Sequence, residues 1–264
     1  MNKYKRIVVK IGSSTLTHET GMINLRQIDR IVKVLSDIKN SGVDLVFVTS
    51  GAIPIGSSKL GFRSRPEDMA SKQAAAAVGQ CELMYIYDKL FSEYNHIVSQ
   101  VLLTNDDFID MERRKYVEAT LTRLIELGCI PIINENDTVS VKEIEAGVFS
   151  ENDELSAIVC QLIKADLLIL ASDIDGLYDS VPQVNPSAKL IPIVNDIADV
   201  QEFISGTFSK LGTGGMSTKI KAASLVIETG TDVVILNGND PTNFYLAVEG
   251  KPVGTFIPAK ERSL

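Results

Sequence analysis

A glycine-rich segment near the carboxyl end of the chain carries residue types that bind phosphate. It reads Gly212-Thr213-Gly214-Gly215-Met216-Ser217-Thr218-Lys219 and directly precedes a helix-like stretch that ends at Glu228. Glycines let backbone N–H groups turn toward an anion, and the start of the following helix adds a partial positive charge. The hydroxyl groups and the lysine add donors and a full charge. The pattern predicts a phosphate site.

This segment matches neither of two common phosphate-binding motifs. The Walker A spacing, Gly-x-x-x-x-Gly-Lys-Ser/Thr, cannot be laid onto it. The third glycine of a dinucleotide fingerprint falls on Ser217, and the preceding residues do not read as a strand. A dinucleotide enzyme that transfers hydride is therefore disfavoured.

A second lysine stands beside a glycine near the amino end of the chain. Lys10 follows an apolar run and precedes Gly12 and three hydroxyl side chains, Ser13-Ser14-Thr15. A lone lysine is usually a solvated surface residue, but Lys10 is flanked by Val9 and Ile11 on a predicted buried strand and needs an anionic partner there. Two lysines beside glycine-rich loops predict a clamp for phosphoryl transfer, which depends on positioning and charge neutralisation.

The residue types also bear on the acceptor of the phosphoryl group. An alcohol benefits from a general base, whereas a carboxylate is already ionised at pH 7, since the ordinary pKa of a glutamate side chain is about 4.3. Neither histidine, His18 or His96, is well placed for such a base. The pattern favours a carboxylate acceptor.

Short strands that alternate with amphipathic helices must position these groups. The strands are predicted as nearly continuous apolar runs, which are typical of strands covered on both faces. A representative helix carries Leu25 to Ile38, with Asn24 as its cap and Gly42 as its stop. The alternation predicts an α/β fold, a mostly parallel central sheet with helices on both faces, or αβα sandwich. The predicted strands are Ile7–Lys10, Leu45–Thr49, Ile97–Leu103, Ile130–Ile133, Leu167–Leu170 and Val233–Leu236.

Polar residues collect after four of these strands and predict one cleft, because ligands bind beyond the carboxyl ends of strands in such sheets. Each group taken singly is also ordinary turn chemistry. Asn152 and Asp153 follow Ser150, and from spacing alone they read as first-turn residues of a capped helix. The four strand-end groups are Lys10–Thr15, Thr49–Ala52, Asn134–Thr138 and Ser172–Gly176.

Composition excludes several classes of function. The 26 basic and 34 acidic residues give a net charge of −8, which argues against a nucleic-acid surface. No segment approaches membrane-spanning length, and the apolar run near the amino end is too short for a signal peptide. Cys81, Cys129 and Cys160 show no Cys-x-x-Cys spacing and are predicted to be buried thiols. The sequence predicts a cytoplasmic protein without a nucleic-acid or membrane partner.

Five segments together resemble the amino acid kinase family. They span nearly the whole chain in the order expected for that family. The resemblance implies the amino acid kinase fold and ATP-dependent phosphorylation of the γ-carboxylate of L-glutamate, the first step of proline synthesis. The segments are Val9–Ser14, Val48–Ile53, Ala70–Gln73 with Ala76–Gln80, Ile132–Asp137 and Gly212–Lys219.

The resemblance also implies catalytic roles for five residues. Lys10 and Lys219 neutralise the transferring phosphoryl group, and Asp153 holds the two lysines in place. Gly12 and Gly51 supply backbone N–H donors.

Binding roles are implied in the same way. L-glutamate contacts Ser50, Asp137 and Asn152, and Asp137 recognises its α-ammonium group. Mg²⁺ offsets the charge of the phosphates. The residues implied to bind ATP are Lys10, Ser172, Asp173, Thr213, Gly214, Gly215, Met216, Ser217, Thr218 and Lys219.

The resemblance finally predicts the organisation of the protein. It implies feedback by proline around Lys59–Gln80 and a homo-oligomer, a dimer or tetramer. One kinase domain is expected over residues 1–264, with an amino-acid lobe over roughly 1–165 and a nucleotide lobe over roughly 166–264. Many members carry an extra C-terminal domain of a type found in RNA-modifying proteins, and none is expected here, because the chain stops soon after a predicted strand at Gly254–Pro258.

Two alternatives remain open. One is another kinase of this family that acts on an acylated amino acid or a carbamate. The other is a non-catalytic sensor of amino acids or nucleotides on the same fold. Retention of both Lys10 and Lys219 argues against the sensor, which has no transition state to neutralise.

Overall fold

The computed structural model describes residues 2–18, 20–140, 151–182, 184–200 and 214–260. The chain divides into two compact units. The first unit comprises Met1–Lys10 and Phe149–Leu264, and the second comprises Ile11–Val148.

Within these ranges, strands and helices alternate along the chain. The strands are β1 (Arg6–Ile11), β2 (Asp44–Val48), β3 (Val98–Leu103), β4 (Ile130–Glu135), β5 (Leu167–Ser172), β6 (Asp232–Asn237) and β7 (Thr255–Ile257). They form a sheet in the order β3-β4-β2-β1-β5-β6-β7. Pairs β2–β4, β3–β4 and β5–β6 are parallel, and β6–β7 is antiparallel. The predicted mostly parallel sheet of an α/β protein is confirmed.

The helices are α1 (Ser13–Leu16), α2 (Leu25–Asn40), α3 (Ala52–Lys59), α4 (Met69–Ser92), α5 (Asp106–Ile109), α6 (Met111–Glu126), α7 (Glu151–Ile163), α8 (Gly214–Ile227) and α9 (Asn243–Val248). Both predicted ends of α2 are confirmed. Asn24 Oδ1 accepts a 3.1 Å hydrogen bond from the Gln27 N–H, and Gly42 adopts a φ of +90° just after the helix. Across the described part of the chain, every helix is too short or too polar to span a bilayer.

The first unit aligns the carboxyl ends of β5 and β6. The register pairs Leu167 with Asp232 and continues to Ser172 opposite Asn237. The Gly238 N–H donates to the Ser172 carbonyl oxygen at 2.7 Å. The central residues of both strands are fully buried apolar side chains, as the continuous apolar runs predict.

The second unit aligns β2, β4 and β3 in the same way. Thr49 donates its N–H to the Ile133 carbonyl oxygen at 2.9 Å, which continues the β2–β4 register beyond β2. On the other side, Asn134 pairs with Leu102 and Glu135 pairs with Leu103. Strand β4 therefore runs two residues past its predicted end, because backbone pairing with β3 continues although the side chains turn polar.

Helices α3 and α4 touch through their backbones. A Cβ added to Gly56 would lie 1.7 Å from the Ala75 carbonyl oxygen, and one added to Gly79 would lie 1.8 Å from that of Ala52. Ala75 and its neighbour Ala76 are fully buried. The alanine run Ala74–Ala77 of α4 predicts a small-residue face for close packing, and the structure shows this for Ala75 and Ala76, whereas Ala74 and Ala77 are exposed.

Two sequence-based expectations differ from the structure or lie beyond it. Cys129 and Cys160 are buried, but the prediction that Cys81 is buried is wrong, since its position on α4 is exposed. Apolar neighbours in sequence did not decide its burial, because successive helix positions point in different directions. The sequence over Asp137–Phe149 also predicts a β-hairpin, and most of that stretch lies outside the described residues.

Candidate functional site

Three charged side chains from distant parts of the sequence meet inside the first unit. Nζ of Lys10, on β1, lies 2.7 Å from Asp153 Oδ1, and Nζ of Lys219, on α8, lies 3.2 Å from Asp153 Oδ2. The exposed fractions of Lys10, Asp153 and Lys219 are 5%, 0% and 7%. These three residues are called the Lys–Asp–Lys cluster below. The anionic partner that a buried Lys10 requires is Asp153.

The Lys–Asp–Lys cluster carries an excess of positive charge. Its two ammonium groups and one carboxylate leave one positive charge in excess, in a place with little water. Burial lowers the pKa of Lys10, and the positive charge of Lys219 adds to that shift while Asp153 opposes it. An anion bound at the cluster would offset the excess charge, so the arrangement suits a phosphate.

The start of α8 shapes one side of this cluster. Thr218 Oγ1 lies 2.9 Å from Asp153 Oδ2, and Lys219 Nζ donates to the Gly215 carbonyl oxygen at 3.1 Å. Because α8 begins at Gly214, the predicted loop from Gly214 onward is helical, and Thr213 lies outside the described residues. Met216 is buried and Ser217 is half-buried.

Helix α7 supplies Asp153 and Asn152 from its first turn. The prediction that both are first-turn residues is confirmed by the start of α7 at Glu151, while the expected cap Ser150 lies outside the described residues. The neighbouring Glu154 pairs with Lys221 of α8 at 2.8 Å on the exposed surface. Two lysine–carboxylate contacts therefore join α7 and α8, one buried and one exposed.

A second polar group lies at the carboxyl ends of β5 and β6. Ser172 Oγ donates to Asp173 Oδ1 at 3.1 Å, and Asp173 is exposed. Asn237 Nδ2 donates to Asp175 Oδ1 at 2.9 Å. Sequence reasoning inspected the end of β5 but missed Asn237, although the same strand-end rule applied to β6 would have found it.

In the second unit, Ser50 and Gly51 connect β2 to α3. Gly51 adopts a φ of +97°, in the left-handed region that favours glycine, and it precedes the first residue of the helix. The Ser50 hydroxyl donates to the Ile11 carbonyl oxygen at 3.0 Å. Gly12 occupies the equivalent position before α1. Both predicted backbone donors therefore stand at helix starts, where N–H groups have no partner within the helix.

Asp137 follows β4 by two residues and is partly buried. Burial raises the pKa of its carboxyl group to about 6, and the positive charge of Arg65 opposes the rise. Close to neutral pH the carboxyl group is mostly ionised, and the positive charge of Arg65 only partly offsets the cost of burying it. A cationic group bound there would stabilise the carboxylate.

Helix α4 makes two buried side-chain contacts that sequence reasoning missed. Gln80 Oε1 accepts a 2.9 Å hydrogen bond from Asn134 Nδ2, and the Tyr87 hydroxyl lies 2.8 Å from Thr49 Oγ1. Gln80 and Tyr87 stand seven residues apart, or two helical turns, so both lie on the same face of α4. A glutamine and a tyrosine at that spacing were a signal, but the partners could be found only from the fold.

A family model, that of the amino acid kinase family, matches residues 5–237, which include all three residues of the Lys–Asp–Lys cluster. This chain belongs to the amino acid kinase family. The match covers most of both units and accounts for the order of the five sequence segments.

Curated relatives are similar over nearly their full length. The chain is 47% identical over 259 residues to a glutamate 5-kinase of Clostridium perfringens, covering 97% of this chain and 96% of that protein. It is 50% identical over 260 residues to a glutamate 5-kinase of Clostridium acetobutylicum, covering 98% and 96%. A glutamate 5-kinase of Listeria monocytogenes is 45% identical over 262 residues, covering 98% and 95%.

Solved structures of more distant proteins share the fold. A UMP kinase from Bacillus anthracis superposes with a TM-score of 0.65 at 17% identity, over 97% of each chain. An isopentenyl phosphate kinase from T. acidophilum gives 0.64 at 21% identity, over 96% of this chain and 100% of that one. At these identities the likeness concerns the fold, and the fold prediction is confirmed.

Proposed function

We propose that this chain is a glutamate kinase, which transfers the γ-phosphoryl group of ATP to the γ-carboxylate of L-glutamate. The products are ADP and γ-glutamyl phosphate, and the reaction opens proline synthesis. The observation that carries the proposal is the buried positive charge of the Lys–Asp–Lys cluster, in a chain 45% to 50% identical to proteins named glutamate 5-kinase.

The first unit would stabilise the transferring phosphoryl group. In the reaction a carboxylate oxygen bonds to the γ-phosphorus, the bond to the bridging oxygen breaks, and ADP leaves with that electron pair. Negative charge on the phosphoryl oxygens is met by Lys10 and Lys219, whose ammonium groups Asp153 already holds in place. The family resemblance also implies neutral backbone N–H donors at Gly12 and Gly51, which belong to the second unit.

The second unit would bind the acceptor. The γ-carboxylate of glutamate is ionised at neutral pH and needs no general base. Asp137 would pair with the α-ammonium group, which compensates a carboxylate whose pKa burial raises. Ser50 would add a hydroxyl contact to the amino acid, and the family resemblance implies a further contact from Asn152. A free ammonium group is what separates glutamate from an acylated amino acid at this position.

The nucleotide would contact Ser172, Asp173 and the segment from Thr213 to Lys219. Mg²⁺ would arrive bound to the phosphates of ATP, because this ion keeps several waters and is usually held by substrate phosphates with one or two carboxylates. Within the described residues, no group of three or more His, Cys, Asp or Glu side chains is arranged to hold a metal.

The remaining parts of the proposal concern regulation and assembly. Proline would inhibit by acting near the glutamate-binding residues, around Lys59–Gln80. Large apolar side chains exposed on the second unit, such as Ile97, Met111 and Tyr116, support a homo-oligomer. Adding proline to the activity assay and measuring the mass in solution by light scattering test these two points.

A substrate panel tests the proposed reaction. The protein is incubated with Mg²⁺, ATP and one acceptor at a time: L-glutamate, N-acetyl-L-glutamate, carbamate, UMP or isopentenyl phosphate. ADP release reports any phosphoryl transfer, and hydroxylamine traps an acyl phosphate as a hydroxamate. We expect ADP and hydroxamate together with L-glutamate, and neither when ATP is left out.

Other outcomes point to the alternatives. Transfer to N-acetyl-L-glutamate or carbamate, without transfer to L-glutamate, would overturn the proposal in favour of another acceptor. Release of ADP with UMP or isopentenyl phosphate alone would do the same. Binding of glutamate or ATP without ADP release from any acceptor would favour a sensor.

A further inference from the structure

Helix α4 carries a buried glutamine that contacts the end of β4. Gln80 is 7% exposed, and its Oε1 accepts a 2.9 Å hydrogen bond from Asn134 Nδ2. Asn134 is 1% exposed, and its own Oδ1 accepts a 3.0 Å hydrogen bond from the Glu135 N–H. The two ends of the Asn134 amide are therefore held by different groups, one from its own strand and one from the helix.

Asn134 stands at the level of the residues proposed to bind glutamate. Thr49 continues the β2–β4 register through its hydrogen bond to Ile133, so Asn134 lies beside the Thr49–Ser50 end of β2. Asp137 follows it by three residues. The orientation of the Asn134 amide thus decides whether a donor or an acceptor is presented at this point of the second unit.

A glutamine is a costly residue for this buried position. Its Nε2 has no hydrogen-bond partner within the described ranges of the chain. Burying a polar amide with an unmet donor is unfavourable, and a methionine of similar size would fill the space without that cost. The contact with Asn134 is what the glutamine provides and a methionine would not.

We propose that Gln80 is a positioning residue for the amino-acid substrate, which acts by fixing the orientation of the Asn134 amide. A preoriented amide loses no rotational freedom when the amino acid binds, so the glutamine lowers the KM for glutamate. The inference rests on the proposed glutamate kinase activity and names a residue outside the set that binds substrate directly.

Contacts made by the rest of α4 hold the helix, and with it Gln80, in place. The preceding residue, Gly79, lies against the backbone of α3 at Ala52, so that a Cβ there would be 1.8 Å from the Ala52 carbonyl oxygen. Two turns further on, the Tyr87 hydroxyl lies 2.8 Å from Thr49 Oγ1, both groups being buried. A functional side chain on a rigid element holds its geometry better than one on a loop.

The test compares Gln80→Met with a matched variant, Gln27→Met. Gln27 is also 7% exposed in the second unit, and its Oε1 accepts from Arg30 Nη1 of the same helix, α2, at 3.2 Å. We expect Gln80→Met to raise the KM for L-glutamate about tenfold, the effect of roughly one hydrogen bond. The KM for ATP and kcat stay within about twofold of wild type, and Gln27→Met leaves all three unchanged.

A thermal melt and a double variant separate positioning from a structural role. A structural glutamine would lower the melting temperature and leave the KM for glutamate unchanged. The positioning role predicts the higher KM even where the melting temperature also falls, because Gln80→Met takes this hydrogen-bond partner from the buried Asn134 Nδ2. If Gln80 acts through Asn134, then adding Gln80→Met to Asn134→Leu raises the KM no further. Multiplying effects in the double variant, or an unchanged KM in Gln80→Met, would overturn the inference.

Failure of the inference is distinguishable from failure of the proposed function. A wild-type protein that forms no hydroxamate from L-glutamate overturns the proposed function, and the inference falls with it. An active wild type whose KM does not respond to Gln80→Met overturns the inference alone.

Discussion

In the first unit three candidate site residues are held together by their charges, whereas in the second unit a buried pair of amides is held by neutral hydrogen bonds. Lys10 and Lys219 each contact Asp153 directly, and all three side chains are almost fully buried. In the second unit, the amide of Gln80 contacts that of Asn134, and neither side chain is charged.

The two units thus illustrate two ways in which a fold can prepare a binding site, by placing charge and by orienting neutral groups. In the Lys–Asp–Lys cluster the excess charge itself performs the proposed work, so a change of charge alters both stability and rate. In the second unit the scaffold sets the orientation of neutral groups, so a change alters affinity for the amino acid. Substitutions in the first unit should therefore act on folding and kcat, and those in the second unit on the KM for glutamate.

The largest effect is expected from removing the shared carboxylate. Asp153→Asn leaves two buried ammonium groups without an ionic partner and should lower the free energy of unfolding by about 3–5 kcal/mol. The matched variant is Glu154→Gln, next in sequence, which loses an exposed pair with Lys221 and should cost at most about 1 kcal/mol. Urea unfolding of both variants measures the difference. Similar losses in both would mean that burial of the cluster does not govern its energetics.

Removing one lysine tests the catalytic role of the excess charge. Lys219→Met leaves Asp153 paired with Lys10 and should lower kcat by about 10²–10³-fold, with a smaller change in the KM for ATP. Lys221→Met, two residues along α8, removes an exposed lysine and should leave both constants unchanged. Steady-state kinetics with varied ATP measures them. A raised KM for ATP with an unaltered kcat would assign Lys219 to binding alone.

A methyl group between α3 and α4 tests whether the second unit depends on its scaffold. Gly79→Ala places a Cβ where the Ala52 carbonyl oxygen now lies, so the helices must separate, at a cost of about 1–3 kcal/mol. The shift also reaches Gly51 at the start of α3 and should raise the KM for glutamate. Ala77→Ser, exposed on the same helix, is the control and should change stability by less than about 0.5 kcal/mol. An unaffected KM in Gly79→Ala would separate helix packing from substrate affinity.

The smallest effect concerns the pH dependence of acceptor binding. Burial raises the pKa of Asp137 to about 6, and the protonated group cannot pair with an ammonium ion. As the pH falls from 8 to 5, the KM for glutamate should rise about tenfold, since one pH unit below a pKa leaves roughly a tenth of the groups ionised. In Asp137→Asn the KM should be high and nearly independent of pH over this range. A wild-type KM that stays flat would remove Asp137 from recognition of the α-ammonium group.

Much of the fold could be predicted from the sequence because buried parallel strands appear in it as continuous apolar runs. The apolar run at Leu167–Leu170 identified β5 without knowledge of its neighbours. The end of β4 was missed because Asn134 and Glu135 are polar, yet their backbones still pair with β3. Hydrophobicity reports what covers a strand and says nothing about where hydrogen bonding between backbones stops.

The candidate site was predictable in residue type and less so in its partnerships. The position of Lys10 on a buried strand required an anion, but spacing alone made Asp153 a first-turn helix residue. Its two lysines lie 143 and 66 residues away in sequence, and only the fold brings them together. The role of Gln80 could not be predicted for a related reason. The small residues of α4 show no helical period of apolar side chains that would mark position 80 as buried.

The division of the chain into units also sets the order in which its parts can fold during synthesis. The second unit is one continuous stretch, Ile11–Val148, whereas the first joins the amino-terminal strand to a segment that begins about 140 residues later. Domains generally fold as they leave the ribosome, so the second unit can form while the first still lacks most of its chain. Until Asp153 has emerged, Lys10 has no carboxylate to meet it and stays hydrated. The first unit is thus completed last, when the second unit can already be in place.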